Sequence, residues 1–392
     1  MDFEFTEEEE AFRKEVCTFL KRELPPHWRG THPFGIVGPE HWELEREMRR
    51  KLVEKGWLAM SWPKEYGGLG ASLMKSLIFT EEMTYHSAPG RDIEGVGMIG
   101  PTLILYGTEE QKRQHLGGIA RGEVVWCQGY SEPGSGSDLA SLQTRAVLDG
   151  DDYVINGQKI WSTYAHHADW MFLLARTDPD TPKHKGITFF LMNMKSPGIT
   201  VRPLVNMANS HEFNEVFFDN VRVPKENVVG DVNRGWYIGM ALLDFERSAS
   251  NYSSMCRRYL DDVVQYVKEA RHNGKPLAED PLVKNKLAKM AIEIEAARLL
   301  TYRTVWMYSK GLTPNYEASM SKLYVTELIQ RLANTSMQML GLYGQLEYGS
   351  PAVQIMGRIR DIYLHAASLT LAAGTSEIQR SIIATRGLEL PR

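Results

Sequence analysis

The prolines of this chain are concentrated in its first part. Of the 18 prolines, 13 lie between residues 1 and 224 and only five follow. Proline removes a backbone hydrogen bond from a helix interior and clashes with the preceding turn, so long helices exclude it. The part of the chain after residue 224 is therefore predicted to be dominated by long helices.

A helical repeat of apolar residues supports this prediction. From Gly235 onward, apolar side chains recur every three or four residues, as expected for one face of a single long helix. Further helices are predicted over residues 281–311, 315–341 and 375–387. The apolar positions of the first helix are Ile238, Leu242, Phe245, Ala249, Tyr252, Cys256, Tyr259 and Val263.

The segment between residues 123 and 232 has a different pattern. It holds seven short runs rich in β-branched and aromatic residues, bounded by turn-forming residues, which is the pattern of strands. Asp149-Gly150-Asp151-Asp152 separates two of these runs as a hairpin turn would. A small, mostly antiparallel β domain is predicted. The runs cover residues 124–130, 145–148, 153–156, 170–176, 187–194, 199–204 and 215–223.

The first part of the chain returns to helical periodicity, in shorter pieces. Thr6 followed by Glu9 fits a capping box at the start of a helix. Two later helices are predicted over residues 72–86 and 109–120. The result is an α+β fold with a helical domain at 1–122, a β domain at 123–232 and a helical domain at 233–392.

Charge and cysteine content narrow the function classes. The 45 basic and 49 acidic residues leave a net charge of −4, so no basic excess favours nucleic acid as a partner. The sequence has no run of 18 apolar residues, so no membrane span is predicted. Its acidic start, MDFEFTEEEEAF, does not have the pattern of a signal or transit peptide. Cys17, Cys127 and Cys256 form neither a disulfide framework nor a metal-spaced pair, so no metal site and a reducing cytoplasm are expected.

Two loops of the β domain carry candidate ligand-binding residues. Residues 131–138, SEPGSGSD, follow a strand and place three serines among glycines, so backbone N–H groups and hydroxyls can face one polar ligand. The alternative interpretation of this segment is an ordinary surface turn. Trp161, with Thr163 two residues on, follows the Asn156-Gly157 turn signal and can flank a flat heteroaromatic ring or belong to the core.

A third candidate lies in the helix that begins near Gly235. Glu246 borders the apolar stripe of this helix, where an unpaired carboxylate is costly to bury. Asp244 and Arg247 are three residues apart, share a face and can pair with each other. A desolvated carboxylate has a raised pKa and can act as a base near neutral pH. A charge on the helix surface is the alternative interpretation.

Five segments together resemble the acyl-CoA dehydrogenase flavoprotein family, in the family's order and spacing. The resemblance covers almost the whole chain. It implies an N-terminal helical domain, a middle antiparallel β domain and a C-terminal four-helix bundle. It also implies FAD as cofactor and the oxidation of acyl-CoA thioesters to trans-2-enoyl-CoA. The segments are YSEPGSGSDLASL (130–142), NGQKIWSTYAHHADW (156–170), FNEVFFDNVRVPKENVVG (213–230), DFER (244–247) and AAGTSEIQRSIIATRGL (372–388).

The resemblance also implies which residues bind the cofactor and the substrate. Within one subunit, the flavin contacts are expected from Gln128, Tyr130, Ser131, Ser137, Trp161, Thr163, Thr375 and Glu377. A second subunit is expected to complete each FAD site with Gln338 and Arg271, although this arginine stands one residue later than in the family's Arg-x-x-Phe-Gly pattern. The substrate-side positions are Ser137, Asp244, Arg247 and Ala373.

The catalytic base departs from the commoner family arrangement. Many members place a glutamate immediately before the Gly-Thr of the C-terminal motif, where this chain has Ala373. A minority of members carry the base on the long helix, at the position of Glu246. The resemblance therefore implies that Glu246 removes the α-proton, while the N–H of residue 373 helps to stabilise the charge on the thioester oxygen.

The resemblance implies partners and leaves alternatives open. An electron-transferring flavoprotein is expected to reoxidise the FAD, and a homo-oligomer built as a dimer of dimers is expected. The alternatives are a non-catalytic partner subunit of a mixed tetramer, which Ala373 favours, and an oxidase-like or desulfinase-like relative. Arg91 and Asp92 lie where relatives cover the acyl pocket, and they are interpreted either as contacts to a polar acyl tail or as solvated loop charges.

Overall fold

The computed structural model describes residues 4–26, 28, 39–248 and 252–391, without the side chains of residues 39, 40 and 244–248. These residues form two units. The helical unit comprises Met1–Phe34, Ser72–Pro89 and Arg247–Arg392, and the sheet unit comprises Gly35–Ala71 and Gly90–Glu246. Across the described residues, every helix is too short or too polar to cross a membrane.

The order of elements along the chain is helical, then β, then helical, which confirms the predicted fold class. The α-helices among the described residues are α1 (Glu7–Glu23), α2 (Pro39–Glu54), α3 (Leu73–Tyr85), α4 (Gly100–Tyr106), α5 (Glu109–Ala120), α6 (Gly235–Ser248), α7 (Tyr252–Glu269), α8 (Pro281–Ser309), α9 (Tyr316–Leu340), α10 (Arg358–Leu369) and α11 (Ser376–Ile382). The domain boundaries at 122/123 and 232/233 stay predictions.

Among the described residues, strands occupy all seven runs predicted for the middle of the chain, and three further short strands follow them. They are β1 (Trp126–Gly129), β2 (Arg145–Asp149), β3 (Asp152–Lys159), β4 (Trp170–Arg176), β5 (Ile187–Asn193), β6 (Ile199–Leu204), β7 (Phe213–Pro224), β8 (Val228–Val229), β9 (Arg271–His272) and β10 (Lys275–Pro276). The last two form a separate hairpin in the helical unit.

The sheet unit is built on one mixed sheet. Its strand order is β6-β7-β3-β2-β4-β5-β8, with β1 also paired to β4. All neighbours are antiparallel except β1–β4 and β2–β4, which run parallel. The predicted hairpin joins β2 to β3, where Asp149 pairs with Asp152 and Gly150 takes a φ of +68°.

Both faces of this sheet are covered, which explains why β4 and β5 are continuously apolar. Phe172 and Leu174 of β4 pack on one face with α4, α5 and the first part of α6. Met171 and Leu173 point to the opposite face, into a second core with residues of β3 and β7. Side chains alternate between faces along a strand, so one strand serves two cores.

The helical unit holds the predicted four-helix bundle. Helices α7, α8, α9 and α10 pack around one apolar core, and α1 and α3 pack on each other beside it. Arg13 of α1 forms ion pairs with Glu81 and Glu82 of α3, and the Tyr302 hydroxyl of α8 donates to Glu81 over 2.8 Å. The long helix predicted from Gly235 is described as α6 and α7, on either side of residues 249–251, which lie outside the described residues.

Candidate functional site

The loop after β1 closes on itself before the chain enters β2. The N–H of Glu132 donates to the carbonyl of Ser135 and the N–H of Ser135 donates back to Glu132, both over 3.0 Å. The Ser135 hydroxyl donates to the carbonyl of Asp138 over 2.8 Å. The Ser131 carbonyl accepts from the N–H of Ile160 over 2.9 Å, so this loop lies beside Trp161. The structure therefore brings together two segments that the sequence singled out separately.

A buried ion pair supports the same loop. The Nζ of Lys159 lies 2.8 Å from Glu132 Oε1 and 2.8 Å from the carbonyl of Tyr130. Glu132 also accepts from the backbone N–H groups of Gln143 and Thr144, over 2.6 and 2.8 Å. The side chain of Lys159 is fully buried at the end of β3. Sequence analysis missed this pair, because nothing local shows that the two residues meet.

The pKa directions of this pair follow from burial and charge. Burial acts to raise the pKa of Glu132, but Lys159 and the two N–H donors outweigh it and hold that pKa below its usual value. Burial lowers the pKa of Lys159 to about 8 against the opposing attraction of Glu132. The carboxylate is therefore held ionised, as an anchor for the loop and not as a base.

The other predicted residues of this region differ in their surroundings. Gln128 of β1 is half-buried, and its Nε2 is buried without a hydrogen-bond partner among the described residues. Ser131 is half-buried and Ser137 is exposed. Tyr130 is buried in the core, where its ring meets the edge of Phe172 at 5.9 Å between centroids. The two serines are therefore open to a ligand and Gln128 has an unmet donor, whereas the Tyr130 ring serves packing.

Trp161 is exposed, which contradicts its interpretation as a core residue. The residue is 52% exposed, and its backbone has a φ of +65°, a conformation that few non-glycine residues adopt. The indole meets the ring of Phe213 edge-on at 5.7 Å. The neighbouring Ser162 is fully buried and exchanges hydrogen bonds with Asn214, so it anchors the backbone between Trp161 and the half-buried Thr163.

A stacked group of rings follows directly after this segment. His166 stacks on His211 at 4.3 Å between centroids, and His167 stacks on Trp42 at 3.9 Å. Burial, followed by the charges of the two other histidines, lowers the pKa of His166 to about 4. Sequence analysis did not find this stacking, because Trp42 and His211 are distant in sequence from His166 and His167.

These features of the sheet unit fit the FAD that the family resemblance implies. The unsatisfied Nε2 of Gln128 is a donor without an acceptor, which is costly in a buried place unless a ligand supplies one. The exposed indole of Trp161 offers an aromatic surface for a flat ring system. Gln128, Ser131, Trp161 and Thr163 are the residues of this unit that would hold the cofactor.

The C-terminal motif lies in the helical unit and has a strained backbone. Ala373 and Gly374 take φ values of +53° and +92°, and the N–H of Ser376 donates to the Thr370 carbonyl over 2.9 Å to close the loop. No described residue accepts a hydrogen bond from the N–H of Ala373. The Thr375 hydroxyl accepts from the N–H of Ile378 and begins α11, and Glu377 is exposed.

Two predicted residues of the helical unit lie at its surface. Gln338 of α9 is exposed and its Oε1 accepts from Lys286 Nζ over 3.2 Å. Arg271 is exposed at the base of the β9–β10 hairpin and donates to the Gly274 carbonyl over 3.1 Å. Their contribution to the FAD site of a second subunit stays a prediction. Asp244, Glu246 and Arg247 lie on α6, but their side chains are outside the described residues.

Asp92 is not the solvated loop charge that one interpretation of the sequence predicted. It is buried, its carboxylate accepts from the N–H of Gly95 over 2.9 Å, and it lies 4.0 Å from Arg49 of α2. Burial raises the pKa of Asp92 while Arg49 and the Gly95 N–H oppose that rise. A solvated charge is wrong for this residue, which caps the helical turn Ile93–Ile99. Arg91 is half-buried.

Comparison with known proteins gives a consistent result over the whole chain. Family models of acyl-CoA dehydrogenases match as the N-terminal domain over residues 6–123, the middle domain over 127–221 and the C-terminal domain over 233–388. The chain is 36% identical over 386 residues to the acyl-CoA dehydrogenase IpdE1 of Mycobacterium tuberculosis, and the match covers 98% of each chain.

Solved structures of other proteins also resemble this chain over its full length. The Tcur3481-Tcur3483 steroid ACAD superposes with a TM-score of 0.91 at 34% identity. The ChsE4-ChsE5 complex from Mycobacterium tuberculosis contains a chain that superposes with a TM-score of 0.90 at 34% identity. In both cases the alignment covers 100% of this chain and 100% of the other.

Proposed function

Because this chain belongs to the acyl-CoA dehydrogenase family, whose members are FAD-dependent flavoproteins, we propose that it oxidises a CoA thioester to the trans-2-enoyl-CoA with Glu246 as the base. FAD, held by residues such as Ser131 and Trp161, would supply the acceptor for the hydride from the β-carbon. Glu246 takes the α-proton, and the N–H of Ala373 donates to the thioester oxygen as negative charge develops there.

The choice of base follows from what the two family positions hold. Ala373 has no group that accepts a proton, whereas Glu246 lies on α6, the element that carries the base in a minority of the family. The backbone N–H of Ala373 is supplied by alanine as well as by glutamate. The substitution at 373 therefore removes a base without removing a hydrogen-bond donor.

The observation that carries the proposal is the exposed, left-handed Trp161. The backbone of Trp161 has a φ of +65° and the residue is 52% exposed, so packing of its side chain does not explain this conformation. Strained backbone of this kind clusters at ligand sites. The Ser131 loop lies against the same segment through Ile160, and the buried Glu132–Lys159 pair holds that loop in place. A flat cofactor stacked there gives each of these features a purpose.

A panel of CoA thioesters tests which acyl groups the enzyme oxidises. The purified, FAD-loaded chain is mixed anaerobically with straight, branched, aromatic, dicarboxylic and steroid-derived CoA thioesters, and loss of the flavin absorbance is followed in a single turnover. We expect fastest bleaching by a steroid-derived thioester, since a structure that matches over its full length is a steroid ACAD. If no thioester bleaches the flavin, the proposed reaction is wrong.

A second candidate is a subunit of a mixed assembly. Ala373 favours it, and a similar solved structure is a complex of two differently named chains, ChsE4 and ChsE5. The two candidates differ in what the isolated chain does. A self-sufficient enzyme retains FAD and is bleached by substrate alone, whereas a partner subunit gains FAD or activity only when a second protein is added. After substrate has reduced the flavin, electron-transferring flavoprotein or oxygen is added to separate samples, and the rates of flavin reoxidation are compared.

A further inference from the structure

Two side chains hold the consecutive carbonyl groups of Ala373 and Gly374. The Nζ of Lys322, on α9, donates to the Gly374 carbonyl over 2.7 Å. The Nε2 of Gln379, on α11, donates to the carbonyls of Ala373 and Gly374 over 3.1 and 3.2 Å. Lys322 is 4% exposed and Gln379 is fully buried, so water does not substitute for either donor.

These contacts oppose a conformational cost. Ala373 and Gly374 both have positive φ, at +53° and +92°. A left-handed conformation is strained for an alanine, because its Cβ approaches the following carbonyl oxygen. A Cβ at position 374 would lie 2.5 Å from Gln379 Nε2, which explains the glycine there. Glycine adopts positive φ readily, so it is Ala373 that would gain by rotating out of this conformation without donors at these carbonyls.

We propose that Lys322 and Gln379 are positioning residues, which hold the Ala373–Gly374 backbone so that the N–H of Ala373 stays directed at the thioester oxygen. This inference rests on the proposed function. Holding the carbonyls of residues 373 and 374 fixes the peptide planes that follow Ala373. The N–H of Ala373 belongs to the preceding peptide, which turns about φ of Ala373, and the left-handed region in which that angle lies is narrow for a residue with a Cβ. No described residue competes for that N–H.

The kinetic consequence is specific to the transition state. A preorganised N–H donor contributes most when charge develops on the oxygen, so its displacement lowers the rate of the chemical step more than the affinity for substrate. Removing one such donor costs about 10²–10³-fold in rate. If the donor is only loosened and not removed, we expect a smaller loss, a decrease of about 10-fold in the rate of flavin reduction.

The test compares Lys322→Met with Lys268→Met, an exposed lysine of α7 in the same unit. Lys322→Met is expected to keep its FAD and bind acyl-CoA with a Kd within about threefold of the parent, yet to reduce the flavin about 10-fold more slowly per bound FAD. Lys268→Met is expected to match the parent. Gln379→Leu removes the second donor, and it is likewise expected to reduce the flavin more slowly while its Kd for acyl-CoA stays close to that of the parent.

The outcomes separate this inference from the proposed function. If the parent chain is bleached but Lys322→Met is bleached equally fast per bound FAD, the positioning role is wrong and the proposed function stands. A variant that only melts earlier or loses FAD, with an unchanged rate in its loaded fraction, overturns the inference as well. If Lys322→Met does not fold, Gln379→Leu carries the same comparison. A parent chain that no thioester bleaches contradicts the proposed function itself.

Discussion

At the scale of single residues, the backbone of Trp161 departs most clearly from ordinary conformations. A bulky residue with a φ of +65° costs on the order of 1–3 kcal/mol and persists only where its surroundings hold it there. Here the holding comes from Ser162, which is buried and bonded to Asn214 through both its N–H and its carbonyl. The exposed indole itself adds little to stability.

Replacing Trp161 with alanine is therefore expected to affect the cofactor more than the fold. The free energy of unfolding of the apoprotein should change by less than about 1 kcal/mol, because the indole is half exposed, while FAD should be lost faster and its spectrum should shift. Leu148→Ala, at a similarly exposed apolar residue of β2, is the control. Thermal melting and FAD release are measured on both. An unchanged spectrum and FAD release rate would contradict a flavin contact.

A second residue-scale prediction concerns the base. Glu246→Gln keeps shape and hydrogen bonding but cannot accept the α-proton. It is expected to retain FAD and acyl-CoA binding and to reduce the flavin at least about 10²-fold more slowly, the lower end of what one positioned base contributes. Glu279→Gln, at an exposed carboxylate of the helical unit, serves as control. Equal bleaching rates in Glu246→Gln and the parent would remove Glu246 from the mechanism.

At the scale of elements, the Glu132–Lys159 pair ties the loop after β1 to the end of β3. Both charges are buried and hydrogen-bonded. Removing one partner of a buried pair leaves the other charge uncompensated, which typically costs about 3–5 kcal/mol. An exposed ion pair offers the opposite case: it joins Asp138 of the same loop to Lys183, which lies between β4 and β5.

Lys159→Met is accordingly expected to lower the free energy of unfolding by about 3–5 kcal/mol and to weaken FAD retention. The double variant Glu132→Gln with Lys159→Met should lose less than the sum of the single losses, because no buried charge remains unpaired. Lys183→Met should change little, since solvent screens its pair. Urea unfolding followed by fluorescence measures five proteins: the parent, Lys159→Met, Glu132→Gln, the double variant and Lys183→Met. Additive losses in the double variant would show that the pair does not act as a unit.

His115 couples α5 to the sheet and gives the fold a pH dependence. Its ring lies edge-on against Trp126 at 5.3 Å and Trp170 at 4.7 Å. Burial lowers the pKa of His115 from 6.5 to about 4, so between these pH values the unfolded chain binds more protons than the folded one. Stability therefore falls as pH is lowered from about 6.5 towards 4.

Replacing His115 with phenylalanine keeps an aromatic ring and removes the titration. We expect the melting temperature of His115→Phe to fall less steeply than that of the parent between pH 6.5 and 4. His272→Phe, at an exposed histidine of the β9–β10 hairpin, should keep the parent slope. Melting is followed across this pH range in matched buffers. Parallel slopes in His115→Phe and the parent would assign the acid sensitivity to other groups, such as His365, whose pKa burial also lowers to about 4.

At the scale of the whole molecule, two proposed cofactor residues lie at the surface of the helical unit. Arg271 and Gln338 are exposed; Arg271 donates to the Gly274 carbonyl of its own hairpin, and Gln338 accepts from Lys286. Residues in such positions are available to a neighbouring subunit. Assembly and cofactor retention are then expected to be coupled, because a ligand bound across an interface stabilises the assembled state.

The double variant Arg271→Ala with Gln338→Ala is expected to remain folded but to lose FAD on dilution at a higher protein concentration than the parent. Mass by light scattering and FAD by absorbance are measured across one dilution series. His272→Ala, next to Arg271 on the hairpin, should behave as the parent. If the double variant keeps its FAD at every concentration, these residues do not complete a neighbour's site.

The sequence by itself determined the order of elements. Proline exclusion, the helical repeat and the β-rich runs are local properties, so they located the helices α8 and α9, the strands β1–β7 and the β2–β3 hairpin to within a few residues. The Thr6–Glu9 capping box was readable for the same reason, since both residues lie in one turn. The assignment of flavin and substrate residues depended instead on resemblance to a family.

Only the tertiary structure decided what each polar group meets. Lys159 reaches Glu132 across 27 residues and Lys322 reaches Gly374 across 52, distances in sequence over which no local pattern operates. The same holds for Asp92, which is buried because Arg49 and the Gly95 N–H compensate its charge, and for Trp161, which is exposed because Ser162 takes the buried place. Burial and hydrogen bonding are satisfied over the whole fold, so they are settled by packing and not by neighbours in sequence.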